Sequence, residues 1–433
     1  MPAITAVRGR LVYNSRGSPT IEVDITTDDR HTGRAAAPSG ASVGIHETAS
    51  FPEGGVAASL QILNDNAGRI SGADPGDVGA MHKVIREIDP EPGYPKMGGS
   101  LAFALSIAAA ESAAKSAGKP LYRFLGEQAP LASASSASSA SPAERYRFPF
   151  PLGNILGGGA HAGPGTPDMQ EILICATGSD TVQDAIRTNL EVHSELRGVL
   201  QKLDPGFSGG KGDEGGWAPK LDNERALQAA AKACENLGFT LGREVSLGVD
   251  FASSTQWDAS RSRYVYDRAG FENDPGEQIE FASDLISRFK LIYAEDAVHE
   301  EAFEDMAQIR ARFPDVLVTG DDLTVTNAAI LEKAARGGSC NAAILKVNQA
   351  GGLYDALEFA AAGARNGIRL VTSHRSGEST ESHISHIGIA TGSKMLKVGV
   401  VGGERVAKLN ELLRIAESQD GTEHDLIQGM AEL

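Results

Sequence analysis

Leu291-Ile292-Tyr293-Ala294-Glu295-Asp296 is a short apolar run that closes on two carboxylates, and it reads as a buried strand. The pattern recurs on both sides of it. Ser246-Leu247-Gly248-Val249 ends in Asp250, and Leu317-Val318-Thr319-Gly320 ends in Asp321-Asp322. Ala342-Ala343-Ile344-Leu345 ends in Lys346, and Leu370-Val371-Thr372-Ser373 ends in His374-Arg375-Ser376-Gly377-Glu378. Helical stretches alternate with these runs, which implies a parallel β/α architecture. Residues 143–433 are long enough to close it into a barrel, whose active residues gather at the C-terminal ends of the strands.

On that rim, three successive strands deliver Asp250, Glu295 and Asp321, and their repulsion would be severe without a cation. Hard oxygen ligands with no His or Cys beside them point to Mg2+ rather than Zn2+. Any one of these acids alone reads equally as a helix cap in a βα loop. Lys346, on the same rim beside a cation and Arg375, would have a lowered pKa and could act as a base. It also reads as an ordinary salt-bridge partner. His374-Arg375-Ser376 offers an imidazole, a planar guanidinium and a hydroxyl, a seat for phosphate or carboxylate or else a solvated turn. Gly212-Asp213-Glu214-Gly215-Gly216 holds Glu214 in a glycine-walled turn that fits a catalytic carboxyl or a plain acidic turn. Leu156 to Gly163 is a Gly-rich loop with one histidine, His161, and matches neither a Walker nor a dinucleotide pattern. Gln170-Glu171 opens the next apolar run, and Lys397 adds a second cation to this end of the barrel.

Ahead of the barrel, residues 4–37 read as strands, with Thr20 to Thr27 alternating strictly. Pro38-Ser39-Gly40-Ala41-Ser42-Val43-Gly44 is small-residued and suited to bring backbone close to a ligand. An Ala-rich helical stretch over about 56–126 completes an α+β unit. The expected organisation is an N-terminal α+β domain over 1–130, a flexible Ser/Ala-rich insertion over 131–142, and a catalytic barrel over 143–433. No repeat of solenoid length is present. A chain of 433 residues with 41% apolar and 22% charged residues suits a soluble protein of two or three domains. Its net charge of −17 argues against a nucleic-acid groove or an anionic membrane as main partner, though not against a small anionic ligand. Cys175, Cys234 and Cys340 fit no metal or redox spacing and read as reduced core thiols of a cytoplasmic protein. Neither a signal-type leader nor a window of membrane-spanning length stands out.

Taken together, the segments resemble the enolase (phosphopyruvate hydratase) family from Arg8 to Ile415. The resemblance rests on Ser15-Arg16-Gly17, Pro38 to Ser42, Gly158 to Gly163, Gln170-Glu171, Gly212 to Gly216, Gly320 to Leu323, Leu345 to Gln349, Ser373 to Glu378 and Glu404 to Asn410. The Gly402-Gly403-Glu404-Arg405 ending and short tail look like archaeal-type enolases. The resemblance implies an enolase-type modified TIM (β/α)8 barrel with an N-terminal α+β capping domain. It implies a lyase that converts 2-phosphoglycerate to phosphoenolpyruvate with two Mg2+ ions per site, in a homodimer or dimer-based oligomer. Asp250, Glu295 and Asp321 would bind the first Mg2+, and Ser42 would complete the second site. Lys346 would take the C2 proton, and Glu214 with Glu171 would protonate the departing hydroxyl. His161, Arg375 and Ser376 would hold the phosphate beside Gln170, His374 would line the leaving-group side, and Lys397 would pair with the substrate carboxylate.

The departures surround these positions. Asn14 stands where the family has Asp, Ser18 where it has Asn, Val43 where it has Thr, and Ala297 where it has Pro. Ser379 stands where the family has Thr, Ser50 to Glu53 and Gly98 to Leu101 differ, and the strand of Lys397 is spaced differently. Such a pattern also suits a paralogue with a changed phospho- or phosphono-substrate, such as carboxyphosphonoenolpyruvate synthase. A third reading is a catalytically silent binding protein on the enolase scaffold.

Overall fold

The computed structural model describes residues 3–41, 44–134, 146–418 and 430–433. The chain opens with a meander of three antiparallel strands, β1 (Ile4–Tyr13), β2 (Pro19–Thr27) and β3 (His31–Ala36). Ile21, Val23 and Ile25 of β2 point into the core, while Glu22 and Asp24 face outward and pair with Arg10 and Arg34. That is the period of two that the sequence displays. The helix Gly99–Ser116 lies on the covered face. Its close approach depends on Gly33, where a Cβ would sit 2.0 Å from Ala108 O. The Ala-rich composition follows, because small side chains let helix and sheet backbones come together.

Eight strands form a closed barrel. They are β4 (Phe150–Gly157), β5 (Glu171–Cys175), β6 (Ser246–Asp250), β10 (Tyr293–Glu295), β11 (Leu317–Gly320), β12 (Ala342–Leu345), β13 (Arg369–Ser373) and β14 (Met395–Gly399). Between β6 and β10 lies a small antiparallel sheet of β7 (Trp257–Asp258), β8 (Arg263–Tyr266) and β9 (Phe271–Asn273). Around the barrel the order is β10-β11-β12-β13-β14-β4-β5-β6. The all-parallel expectation needs one correction: β5 runs antiparallel to both β4 and β6. The cause is the link between β4 and β5, which holds one short 3-10 turn, Gly159–His161, and no crossover helix to carry the chain back to the bottom. Glu171 therefore reaches the active rim from the start of its strand.

The N-terminal domain is stitched to that rim. Ser39 and Gly377 exchange backbone hydrogen bonds at 2.8 Å each, Ser15 N donates to Glu378 O at 2.8 Å, and Thr48 N donates to Gln349 O at 3.1 Å. A Cβ at Gly377 would lie 2.7 Å from both Asn14 Nδ2 and Ser39 Oγ, so a larger residue would have to displace these side chains from the seam. Val23, Leu105, Leu345 and Leu396 belong to one apolar cluster that runs through both domains. Residues 131–134, expected to begin a flexible insertion, belong to a short helix, Ala129–Ala134; 135–145 lie outside the described residues. Among the described residues no helix is long and apolar enough to cross a membrane.

Candidate active site

Strand register lays the first part of the site in a single rung. Glu171 pairs with Asp250, and Asp250 pairs with Glu295. Side chains in register on neighbouring strands share one face and lie about 5 Å apart, so three carboxylates stand side by side. Asp321, just past β11, adds a fourth. Burial is near complete: Glu171, Asp250 and Glu295 are at most 1% exposed. Two lysines neutralise this row. Lys397 Nζ lies 2.6 Å from Glu295 Oε2, 2.8 Å from Asp250 Oδ2 and 3.6 Å from Glu171 Oε2. Lys346 Nζ makes a short hydrogen bond to Asp321 Oδ2, whose other oxygen accepts from Gln349 at 2.9 Å.

The charges set the proton affinities. Burial and the Asp250 charge push Glu295 well above the carboxylate range. Asp321 is held at about 2, because the Lys346 and Lys397 ammonium groups outweigh its burial. At Lys346 the protein's own charges, with no divalent cation beside them, act in both directions. Burial and the Arg375 and Lys397 charges lower its pKa, as expected, but the Asp321 carboxylate more than offsets them and the net direction is upward.

At the Glu171 end of the rung stand one more carboxylate, Glu214, and two histidines. His161 Nδ1 lies 3.3 Å from Glu171 Oε1 and 3.6 Å from Glu214 Oε1. His374 Nε2 lies 3.1 Å from Glu214 Oε2. Glu171 is raised to about 7 by burial and by the Glu214 charge. Burial also acts on Glu214, but His374, His161 and a hydrogen bond from Glu171 hold it well below the usual range. The two shifts thus run in opposite directions, upward at Glu171 and downward at Glu214. Gly215 (φ +85°) allows the turn to seat Glu214, since a Cβ there would meet Val401 O at 2.2 Å. Lys346 follows β12 and Glu171 opens β5, and these strands are diametrically opposed in the barrel order.

Gly40, Ala41, Gln170, Asp322, Ser373, Arg375 and Ser376 complete the lining of a small polar cleft. Each expected site residue among the described ones lies in or beside it; Ser42 lies outside the described residues. Some partners differ from expectation. His161, expected beside Arg375 and Ser376, faces the acid pair. Arg375 is engaged bidentately by Glu47 of the N-terminal domain, at 2.6 and 3.1 Å. Ser376 Oγ approaches Ser39 O at 3.5 Å, and Gln170 Nε2 donates to Asp250 Oδ2 at 3.2 Å. Lys397 is held by protein carboxylates. Asp296 does what a capping acid would: it accepts the backbone N–H groups of Asp321 and Asp322 at 3.0 and 2.7 Å. Glu47, Tyr293 and Arg405 carry contacts that sequence reasoning did not assign.

A divalent cation fits these residues. Glu295 Oε1 is buried without a hydrogen-bond partner, and Asp296, Asp321 and Asp322 bring one oxygen each to within 4.8 Å of one another. Such all-oxygen donors suit a hard ion.

A β/α barrel with an antiparallel second strand, a rung of buried carboxylates and a lysine opposite a carboxylate pair can take a proton from one face of a small substrate and give one to the other. Two family profiles match, "Enolase, N-terminal domain" over residues 4–125 and "Enolase, C-terminal TIM barrel domain" over 145–426. Proteins named Enolase from Methanosphaera stadtmanae and Methanothermobacter thermautotrophicus are each 42% identical over 416 residues, 96% of this chain and 97% and 96% of theirs. The Enolase of Halobacterium salinarum is 39% identical over 96% of this chain and 100% of its own. The chain belongs to the enolase family, and it is an enzyme of that superfamily rather than a silent binding scaffold.

Proposed function

We propose that the protein removes the C2 proton of 2-phosphoglycerate and expels the 3-hydroxyl to give phosphoenolpyruvate. The observation that carries this reading is the diametric placement of Lys346 and Glu171 across a small polar cleft. An elimination in which base and acid work on opposite faces needs that arrangement. Lys346 Nζ takes the proton as the free amine. Asp321, which favours its ammonium form, is also one of the acids that would hold a cation, so the supply of free amine follows how far that charge is drawn elsewhere. Glu171 gives its proton to the departing hydroxyl, while ionised Glu214 holds Glu171 in its acid form. His161 steadies both carboxylates, and His374 fixes Glu214. Arg375 and Ser376 receive the phosphate at the seam with the N-terminal domain.

Mg2+, held by Asp250, Glu295 and Asp321, would supply the positive charge that makes the proton next to a carboxylate acidic enough to remove. Purified protein with Mg2+ and 2-phosphoglycerate should produce phosphoenolpyruvate, and in D2O the C2 proton should exchange. Exchange without phosphoenolpyruvate would transfer the reading to a related phospho- or phosphono-substrate. The absence of both would refute the reading. The relatives of this chain carry the name Enolase, which supports 2-phosphoglycerate over the phosphono alternative.

A further inference from the structure

Arg405, near the start of the helix Gly403–Glu417, is wholly buried, at 0% exposure. A guanidinium out of water must find partners for its N–H groups. Here they are mostly carbonyls. One terminal nitrogen donates to Arg375 O at 2.6 Å and to His374 Nδ1 at 2.9 Å. The other donates to Ser376 O at 2.7 Å and Asp213 O at 3.0 Å. Nε lies 3.5 Å from Glu404 Oε1. One side chain thus ties the anion turn, through Arg375 and Ser376, to the acid turn that carries Glu214. Gly399 makes room for this junction: a Cβ there would lie 2.1 Å from Glu214 O and 3.0 Å from Arg405 Cγ.

The contact with His374 has a chemical consequence. Arginine has donors and no lone pair, so the ring nitrogen facing it must accept. Gly399 N–H points at the same nitrogen from 3.4 Å. With Nδ1 occupied by two donors, the proton of a neutral ring belongs on Nε2, where it can be donated to Glu214 Oε2. We propose that Arg405 is a positioning residue that locks His374 in the Nε2–H tautomer, aimed at Glu214. Burial and the Arg405 charge also keep the ring neutral, at about 4, although the Glu214 charge opposes them. The Glu378 charge also acts on the ring, in the same direction as Glu214. Exchanging the tautomer would set a lone pair against the Glu214 carboxylate and disturb the acid pair without touching the lysine side.

The tautomer is read directly by long-range 15N–1H spectra of histidine-labelled, full-length protein, with His374 assigned by the signal missing from His374→Gln. The wild type should give the neutral Nε2–H pattern through the neutral pH range; an Nδ1–H or imidazolium pattern overturns the proposal. This spectrum decides even where a variant fails to fold. Arg405→Lys keeps the charge and loses the fork, so the ring should lose its single tautomer. Because the kinetic half rests on the elimination proposed above, phosphoenolpyruvate formation should fall at least about tenfold further than C2 exchange. An unchanged ring pattern, or an equal loss of both rates, overturns it. Wild-type protein that forms no phosphoenolpyruvate refutes the proposed function instead, and leaves the tautomer to be judged on the spectrum.

Discussion

The two flanks of the cleft handle the same problem, buried carboxylates, in different ways. On the flank of β6, β10, β11 and β12, the Lys346 and Lys397 ammonium groups offset Asp250, Glu295 and Asp321. On the flank of β5 and the Gly212–Gly216 turn, Glu171 and Glu214 face two imidazoles, with Lys397 no nearer than 3.6 Å to Glu171. On that side lysine and carboxylate charges meet directly, and burial with the Asp250 charge pushes Glu295 well above the carboxylate range. Imidazole and carboxyl on the other leave one proton whose affinity, at about 7, lies in the working range. A lyase uses both: a charged side to stabilise what the lost proton leaves behind, and a titratable side to give one away.

The largest effect should come from the charged flank. Lys346→Ala should reduce C2 exchange in D2O by about 100- to 10,000-fold, and phosphoenolpyruvate formation with it. The comparison breaks if exchange survives, because the base would then lie elsewhere. Chelation with EDTA should abolish turnover and leave the fold intact by circular dichroism.

The titratable flank predicts a smaller and more selective loss. Glu171→Gln should lower phosphoenolpyruvate formation about 100-fold or more while sparing C2 exchange. In the wild type, elimination should decline as pH rises through about 7 and Glu171 loses its proton; the variant should lack that limb. Stability carries the same sign. The folded state holds the Glu171 proton at about 7 against an ordinary 4.5, so its contribution is present below 4.5 and is lost as pH rises through 7. Glu171→Gln should flatten that slope in a series of thermal melts.

The flanks also differ in how readily the sequence displays them. Asp250, Glu295, Asp321 and Lys346 each follow an apolar run, and a strand-end rule finds such residues without any knowledge of what they touch. Glu171 stands at the beginning of its run, where the same rule assigns it to the wrong end. The absence of helical periodicity between Gly157 and Gln170 was the available signal that β5 turns back. The pairing of Lys346 with Asp321 leaves no such mark, because Asp321 stands 25 residues away in sequence and becomes its direct neighbour only in the fold. Arg405 and Glu47 left no local trace. One is an arginine near a helix start and the other a glutamate in a loop, and only tertiary burial turns them into a junction and an ion pair.

The finest test lies beneath the charged flank. Tyr293 OH donates to Glu295 Oε2 at 2.6 Å, and Lys397 Nζ donates to the same oxygen at 2.6 Å. With Oε2 taken twice, Oε1 is the atom left for a cation. The Tyr293 side chain packs over its register partner Gly248, where a Cβ would come within 2.9 Å of it, so the neighbouring strand is shaped to admit the ring. Tyr293→Phe keeps the ring and deletes one donor. It should weaken Mg2+ about tenfold to hundredfold, the usual consequence of losing a hydrogen bond that orients a metal-binding carboxylate. The rate at saturating Mg2+ should stay near that of the wild type. A Mg2+ titration of turnover separates the two quantities. An unchanged half-saturation point would mean that Lys397 alone orients Glu295 and that the phenol only fills space, whereas a lowered rate at saturation would mean that the phenol also tunes the charge the carboxylate presents.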